Sequence, residues 1–156
     1  MIISLTRQEA DKAIAGAKDR YARVKREGLA FQKGQREGRE GFHESDHIVG
    51  AVAEMAFYKY RGVPWSPTLD SVDHGDLGHY EIKATYRYKG NLLIPATYAG
   101  NKHLTFILAI VARDHDNVNF VGWISGMDAL QDIYWRVDMQ RPCWFVPRSD
   151  LTPPKT

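Results

Sequence analysis

His74-Gly75-Asp76-Leu77-Gly78-His79-Tyr80-Glu81-Ile82-Lys83-Ala84-Thr85-Tyr86-Arg87-Tyr88 is the stretch that decides how this chain is read. From Tyr80 onward its residues alternate with the two-residue period of a strand that buries one face. Tyr80, Ile82, Ala84, Tyr86 and Tyr88 make the apolar face, and Glu81, Lys83, Thr85 and Arg87 project from the other. A carboxylate and an ammonium therefore share one surface.

Asp76 stands just before this strand between Gly75 and Gly78, and the glycines permit a tight bend that returns its carboxylate toward Glu81. Asp73 lies in the same Gly/Asp loop, and the sequence leaves open which of the two turns inward; Asp76, nearer the strand, is preferred. Converging carboxylates repel. Hard oxygen donors with few nitrogen or sulfur competitors suit Mg2+ or Mn2+, which would neutralise them while keeping several waters. Lys83 beside such an ion would stabilise the extra negative charge of a phosphoryl transition state, or help position and deprotonate the attacking water. The expected chemistry is phosphodiester hydrolysis.

Upstream, Ile48, Val49, Val52, Ala53, Ala56, Phe57 and Tyr60 recur at helical spacing from about Asp46 to Arg61, with Ser45 as cap, Gly62 as stop and Pro64 beyond. Glu54 projects from this helix one turn after Gly50, whose missing side chain leaves space, and is the candidate fourth member of the site. A wheel projection at about 100° per residue sets it away from the apolar stripe, so a solvated helix glutamate is an equal reading.

Further out, Thr6 and Glu9 form a capping box that opens a first helix running to Gly28, with Ala10, Ala13, Ile14, Ala17, Tyr21 and Val24 at helical spacing. Gly28 to Gly41 loses periodicity and carries Lys33, Arg36 and Arg39 among Glu37 and Glu40. Those cations, with Arg87 and Lys89 after the strand, are candidates for phosphate contacts, and a merely solvated loop is an equal reading. Downstream, the Lys89-Gly90-Asn91 turn leads to a short strand at Leu92 to Ile94, Leu104 to Ala112 reads as a central strand, and Val118 to Ile124 as another. Ser125 and Asp128 open a helix to about Trp135, Cys143 to Val146 is a final edge strand, and Pro147 to Thr156 lies on the surface or frays.

Bulk properties narrow the classes. The 156 residues are 44% hydrophobic and 26% charged, which argues for one folded domain: an N-terminal helix and basic loop over 1–44, a core over 45–147 and a tail over 148–156. A net charge of +2 announces no strong field, so any nucleic-acid role rests on local clustering. The single cysteine, Cys143, excludes an internal disulfide and points to a cytoplasmic setting. No apolar run reaches the roughly 18 residues of a membrane span. The six histidines are scattered without a helical pair or cysteine partners, which argues against zinc. Trp65, Trp123, Trp135 and Trp144 are assigned to packing.

Gly50-Ala51-Val52-Ala53-Glu54 on a helix, Gly75-Asp76, Glu81-Ile82-Lys83-Ala84-Thr85, Leu92-Leu93-Ile94, Val121-Gly122-Trp123-Ile124 and Trp144-Phe145-Val146-Pro147 follow one another in an order that carries a resemblance. The chain resembles the PD-(D/E)xK, restriction-endonuclease-like nuclease superfamily, and more closely its small phage or prophage-type members. The resemblance spans roughly residues 45 to 150. It implies an α/β (α+β) core with a central mixed β-sheet flanked by helices, and a metal site of Asp76, Glu81 and the Ile82 main-chain carbonyl, with Lys83 as catalytic lysine and Glu54 as helix acid. Gly75 stands where that family usually has proline.

The reading at this stage is a Mg2+-dependent (or Mn2+-dependent) DNA endonuclease or exonuclease, with Asp76, Glu81, Lys83 and Glu54 in its active site and DNA contacts from Lys33, Arg36, Arg39, Thr85, Arg87 and Lys89. Two alternatives stand beside it. One is a non-catalytic DNA-binding or assembly module on the same fold; the other is a junction resolvase, which requires a homodimer so that two sites cut paired strands.

Overall fold

In the computed structural model, which describes residues 1–27, 43–66 and 75–155, the chain is a mixed α/β protein. Among the described residues three α-helices, α1 (Arg7–Glu27), α2 (Glu44–Arg61) and the single turn α3 (Gly126–Ala129), accompany seven strands. These are β1 (Ile2–Ser4), β2 (Tyr80–Thr85), β3 (Leu92–Pro95), β4 (Thr105–Val111), β5 (Asn117–Ser125), β6 (Trp135–Arg136) and β7 (Cys143–Val146). They form a four-stranded mixed sheet ordered β1-β5-β4-β2, in which only β2 and β4 are parallel, and a three-stranded antiparallel sheet ordered β3-β7-β6, where Cys143–Val146, expected at an edge, is the central strand.

The larger sheet is buried on both faces. Ile107, Ala109 and Val111 of β4 pack with α1 and α2, whereas Phe106 and Leu108 point the other way and join Leu92, Ile94 and Val146 of the second sheet. Two-sided burial is why β4 reads as an unbroken apolar run. Against α2, helix α1 presents Ala10, Ala13 and Ala17, all fully buried, and such small side chains let two helix backbones approach closely.

The helix starts follow local chemistry. Thr6 N–H donates to Glu9 at 2.7 Å and Glu9 N–H to Thr6 Oγ1 at 3.2 Å, the reciprocal box expected from the sequence. Helix α2 begins at Glu44, two residues before the expected start, because His43 rather than Ser45 occupies the cap position; its N–H donates to the Asp46 carboxylate at 3.0 Å. Gly62 stops it at φ +67°, and Val63 N–H reaches back to the Tyr58 carbonyl.

Several expectations are corrected. Strand β2 ends at Thr85, because Arg87 N–H turns back onto Thr85 Oγ1 and Gly90 N–H onto the Arg87 carbonyl; Arg87, Tyr88 and Lys89 thus occupy an exposed turn. The helix expected to reach Trp135 stops after one turn, since Leu130 leaves helical geometry (ψ 46°) to enter the core between the sheets. Ser125 still caps that turn, accepting the Asp128 N–H at 3.1 Å. The described part of the tail lies along the surface, one of the two courses expected, and is held there: Thr152 exchanges two main-chain bonds with Trp123, and Leu151 is buried. Strand β1, which the first residues did not announce, pairs with β5. No described helix is long and apolar enough to cross a membrane.

Candidate active site at the edge of the sheet

Among the described residues strand β2 lies at an edge, bonded to β4 on one side only. Its other side would expose unpaired main-chain groups, and the loop before it fills part of that gap. Asp76 N–H and Leu77 N–H both donate to the Tyr80 carbonyl, at 2.7 and 3.2 Å, and Tyr80 N–H returns to the Leu77 carbonyl at 3.1 Å. Gly75 makes the bend possible. Its φ is +67°, and a Cβ there would stand 2.6 Å from the Tyr80 carbonyl oxygen. Proline, fixed near −65°, does not fit such a backbone.

This bend aims Asp76 inward. Its Oδ2 accepts the Ile82 N–H at 2.6 Å, and its main-chain carbonyl accepts the Tyr58 hydroxyl at 2.5 Å. Within a strand the N–H and C=O of one residue point to the same side, so the Ile82 carbonyl faces the same open edge as the Asp76 carboxylate. Burial, then the charges of Glu81 and Glu54, hold the Asp76 carboxyl well above the usual carboxylate range, against the opposing pull of the Ile82 N–H and Lys83.

Glu81 and Lys83 share one face of β2, as their spacing requires, and that face is turned toward the second sheet rather than toward water. Glu81 is 7% exposed. Its Oε1 accepts from Lys83 Nζ at 2.6 Å and from the Tyr98 hydroxyl at 2.5 Å, while Lys83 Nζ also donates to the Tyr98 oxygen at 2.8 Å. The three groups close a ring of hydrogen bonds. Burial opposes the charge on Lys83, but the Glu81 carboxylate and the Tyr98 hydroxyl outweigh it and raise the ammonium above its ordinary range. Tyr98 is raised as well, by burial first and by Glu81.

Glu54 is not solvated. On α2 its side chain is 13% exposed, with Arg20 Nη1 of α1 3.3 Å from Oε1 and the Trp65 indole N–H donating to Oε2 at 3.4 Å. Burial raises its carboxyl; Arg20 and Trp65 pull it down, and Glu81 adds to the rise. Glu54, Asp76 and Glu81 thus lie within reach of one another's fields, with Arg20 and Lys83 as the neighbouring cations. Among the described residues no cluster of three or more His, Cys, Asp or Glu side chains is set to hold a metal ion by itself. Side-chain coordination would therefore come from fewer donors, which Mg2+ accepts because it keeps several waters.

The expected nucleic-acid contacts divide. Thr85 ends β2 and is half-buried; Arg87 and Lys89 are exposed in the turn beyond it. Lys33, Arg36 and Arg39, like the rival acid Asp73, lie outside the described residues. Sequence reasoning missed Tyr98, Arg20 and Tyr58. Arg20 left one readable sign, a cation three residues beyond Ala17 on a stripe of buried alanines. Tyr98, in a 3-10 turn at Ala96–Tyr98, left none. Trp65 packs as expected but also donates to Glu54, and Trp123, assigned to packing, is 42% exposed.

A mixed α/β protein with three carboxylates, one buried and two partly buried, near one another and beside a lysine is the class that fold and site define. No protein-family model, no curated protein and no solved structure matches the chain.

Proposed function

We propose that the chain is a metal-dependent nuclease of the PD-(D/E)xK type, with a restriction-endonuclease-like core, that hydrolyses phosphodiester bonds of DNA. One observation carries the reading: Asp76, Glu81 and Glu54 are brought into one another's electrostatic reach at an open sheet edge, with Lys83 fixed beside them. Carboxylates so arranged without a cation are held at a cost, and Asp76 carries most of it.

The donor set fits Mg2+ or Mn2+: Asp76 and Glu81 as carboxylates and Ile82 through its main-chain carbonyl, with Glu54 behind them and waters completing the shell. When bound, such an ion neutralises charge developing on phosphate and makes water a better nucleophile near neutral pH. Lys83 is the residue that meets the phosphate. Held protonated by Glu81 and Tyr98, it acts as a fixed positive charge and not as a proton acceptor. Tyr98 positions Lys83 and Glu81, and Arg20 with Trp65 positions Glu54. Thr85, Arg87 and Lys89 follow the strand where the substrate backbone would leave the site.

A second reading has its own support. Lys83 and Tyr98 already satisfy Glu81 without any ion, as a purely structural cluster would. On that reading the chain is a DNA-binding or assembly module that needs no metal. Cutting of a junction at two points would further require a homodimer.

Cleavage of labelled single-stranded, double-stranded and branched DNA with Mg2+, with Mn2+ and with EDTA, comparing the native chain with Lys83→Ala, separates these readings. Metal-dependent cutting that disappears in Lys83→Ala supports the nuclease. DNA binding without cutting in any metal replaces it with the module.

A further inference from the structure

A cleft of about 420 Å³ opens on the helical face of the larger sheet, beyond the end of α2 and next to the first residue of β2. Its walls include Tyr60, Tyr80, Phe120 and Trp123, of which Tyr60 is 49% and Trp123 42% exposed. Of the chain's exposed large apolar side chains, these two are aromatic rings that line a concave site.

The backbone is shaped to put Trp123 there. A bulge in β5 shifts the pairing with β4 between Leu108 and Ala109, so that Phe120 and Trp123, an odd number of residues apart, face the same side. At Gly122 an added Cβ would stand 2.7 Å from Leu151 Cβ and 2.8 Å from the Thr152 carbonyl oxygen. Only because that position lacks a side chain does the tail pack against β5 and bring Pro154 and Lys155 into the wall.

The polar chemistry of the cleft is one-sided. Arg61, His79 and Lys155 line it, and among the described residues no carboxylate does. His79 lies against Tyr80 with ring centroids 4.1 Å apart, and the Arg61 guanidinium sits 5.4 Å from the centre of the same ring. Flat aromatic surface with cations at the margin fits one ligand chemistry, a planar base attached to phosphate. The cleft adjoins the edge of β2, on the opposite face of the sheet from the Glu81 and Lys83 side chains. Tyr80 precedes Glu81 and its carbonyl anchors Asp76, while Arg61 is two turns along α2 from Glu54, about 10 Å. Phosphates follow one another every 3.4 Å along a stacked strand, so a strand held at Asp76 and Glu81 reaches the cleft within about one to three nucleotides.

We infer that this cleft holds one unpaired base of the substrate strand, stacked on Trp123, with Arg61 and Lys155 on the adjoining phosphates, and that it directs the enzyme to single-stranded or frayed DNA. The inference rests on the nuclease reading for the strand's path. A base paired within a duplex does not present a free face to the cleft.

The test measures binding of a short oligothymidylate and of a blunt duplex of equal length by fluorescence anisotropy in EDTA, followed by cleavage of both in Mg2+. The native chain is compared with Trp123→Ala and with the pair Arg61→Gln and Lys155→Gln, whose folding is checked by thermal melting. Trp123→Ala is expected to weaken binding of the single strand about tenfold and leave the duplex little changed. The lysine and arginine replacements are expected to flatten the salt dependence by about two ions. Equal single-strand binding by native chain and Trp123→Ala, or tighter binding of the duplex by the native chain, overturns the inference. Cleavage that persists unaltered in all variants overturns it alone, leaving the nuclease standing; Trp123-dependent binding with no cleavage in any metal overturns the nuclease but supports the cleft as a site for unpaired bases.

Discussion

The Asp76 carboxylate accepts the main-chain N–H of Ile82 at 2.6 Å, so the acid that precedes the strand is bonded to the residue between Glu81 and Lys83. Edge strands leave alternate N–H and C=O groups unpaired. Here one such N–H fixes the orientation of a carboxylate, and the carbonyl of the same residue is left facing the same opening. That single bond converts three residues close in sequence into a site with defined directions.

Replacing Gly75 by the proline usual in the PD-(D/E)xK family is expected to damage this chain. Proline cannot adopt the φ of +67° found there, and even alanine would place a Cβ 2.6 Å from the Tyr80 carbonyl oxygen. Urea unfolding of Gly75→Pro should show a loss of about 3 kcal/mol or more, and cleavage should fall with it. A variant as stable and active as the native chain would mean that the bend is not needed.

Lys83→Ala leaves Glu81 buried with only the Tyr98 hydroxyl as partner. A loss of about 3 kcal/mol in unfolding free energy is expected, near the low end for breaking a buried pair because Lys83 keeps 22% of its side chain exposed. Combining it with Glu81→Gln should cost clearly less than the sum of the two single changes, as measured by a double-mutant cycle.

Tyr98→Phe removes the bridging hydroxyl and keeps the ring. The expected cost in stability is about 1 kcal/mol, together with a lower kcat at nearly unchanged KM, because the Lys83 ammonium loses one of its two fixed partners. If kcat were unaffected while stability fell, Tyr98 would be a packing residue only.

Asp76 titrates above the usual carboxylate range because burial and the charges of Glu81 and Glu54 oppose its ionisation. The folded chain therefore binds this proton more tightly than the unfolded chain does. The resulting stability is full below about pH 4, where unfolded carboxylates are protonated, and is lost as pH rises through the folded value. Without divalent ions, the melting temperature should fall over that window more steeply for the native chain than for Asp76→Asn. Mg2+ competes with the proton, so its stabilising effect should grow with pH over the same window.

How much was legible beforehand depends on how local each signal is. The alternation from Tyr80, the box at Thr6 and Glu9 and the apolar run of β4 are short-range patterns, and each appears in the structure close to where it was read. The bend at Gly75 that turns Asp76 inward was legible for the same reason. Strand β1 was not, because three residues gain their strand character only from β5, more than a hundred positions away. Tyr98 and Arg20 were hidden likewise: Tyr98 reaches Glu81 across the space between two sheets, and Arg20 reaches Glu54 across a helix pair. The bulge that exposes Trp123 depends on pairing register with β4, which no local pattern in β5 announces.

The most direct measurement is calorimetric titration of the native chain and of Asp76→Asn with Mn2+. The native chain is expected to bind Mn2+ saturably and to release protons as it does so, and Asp76→Asn, which keeps an acceptor for the Ile82 N–H but loses the charge, to bind far more weakly. Absence of saturable binding to the native chain, or equal binding by both, would contradict a metal site at Asp76 and Glu81.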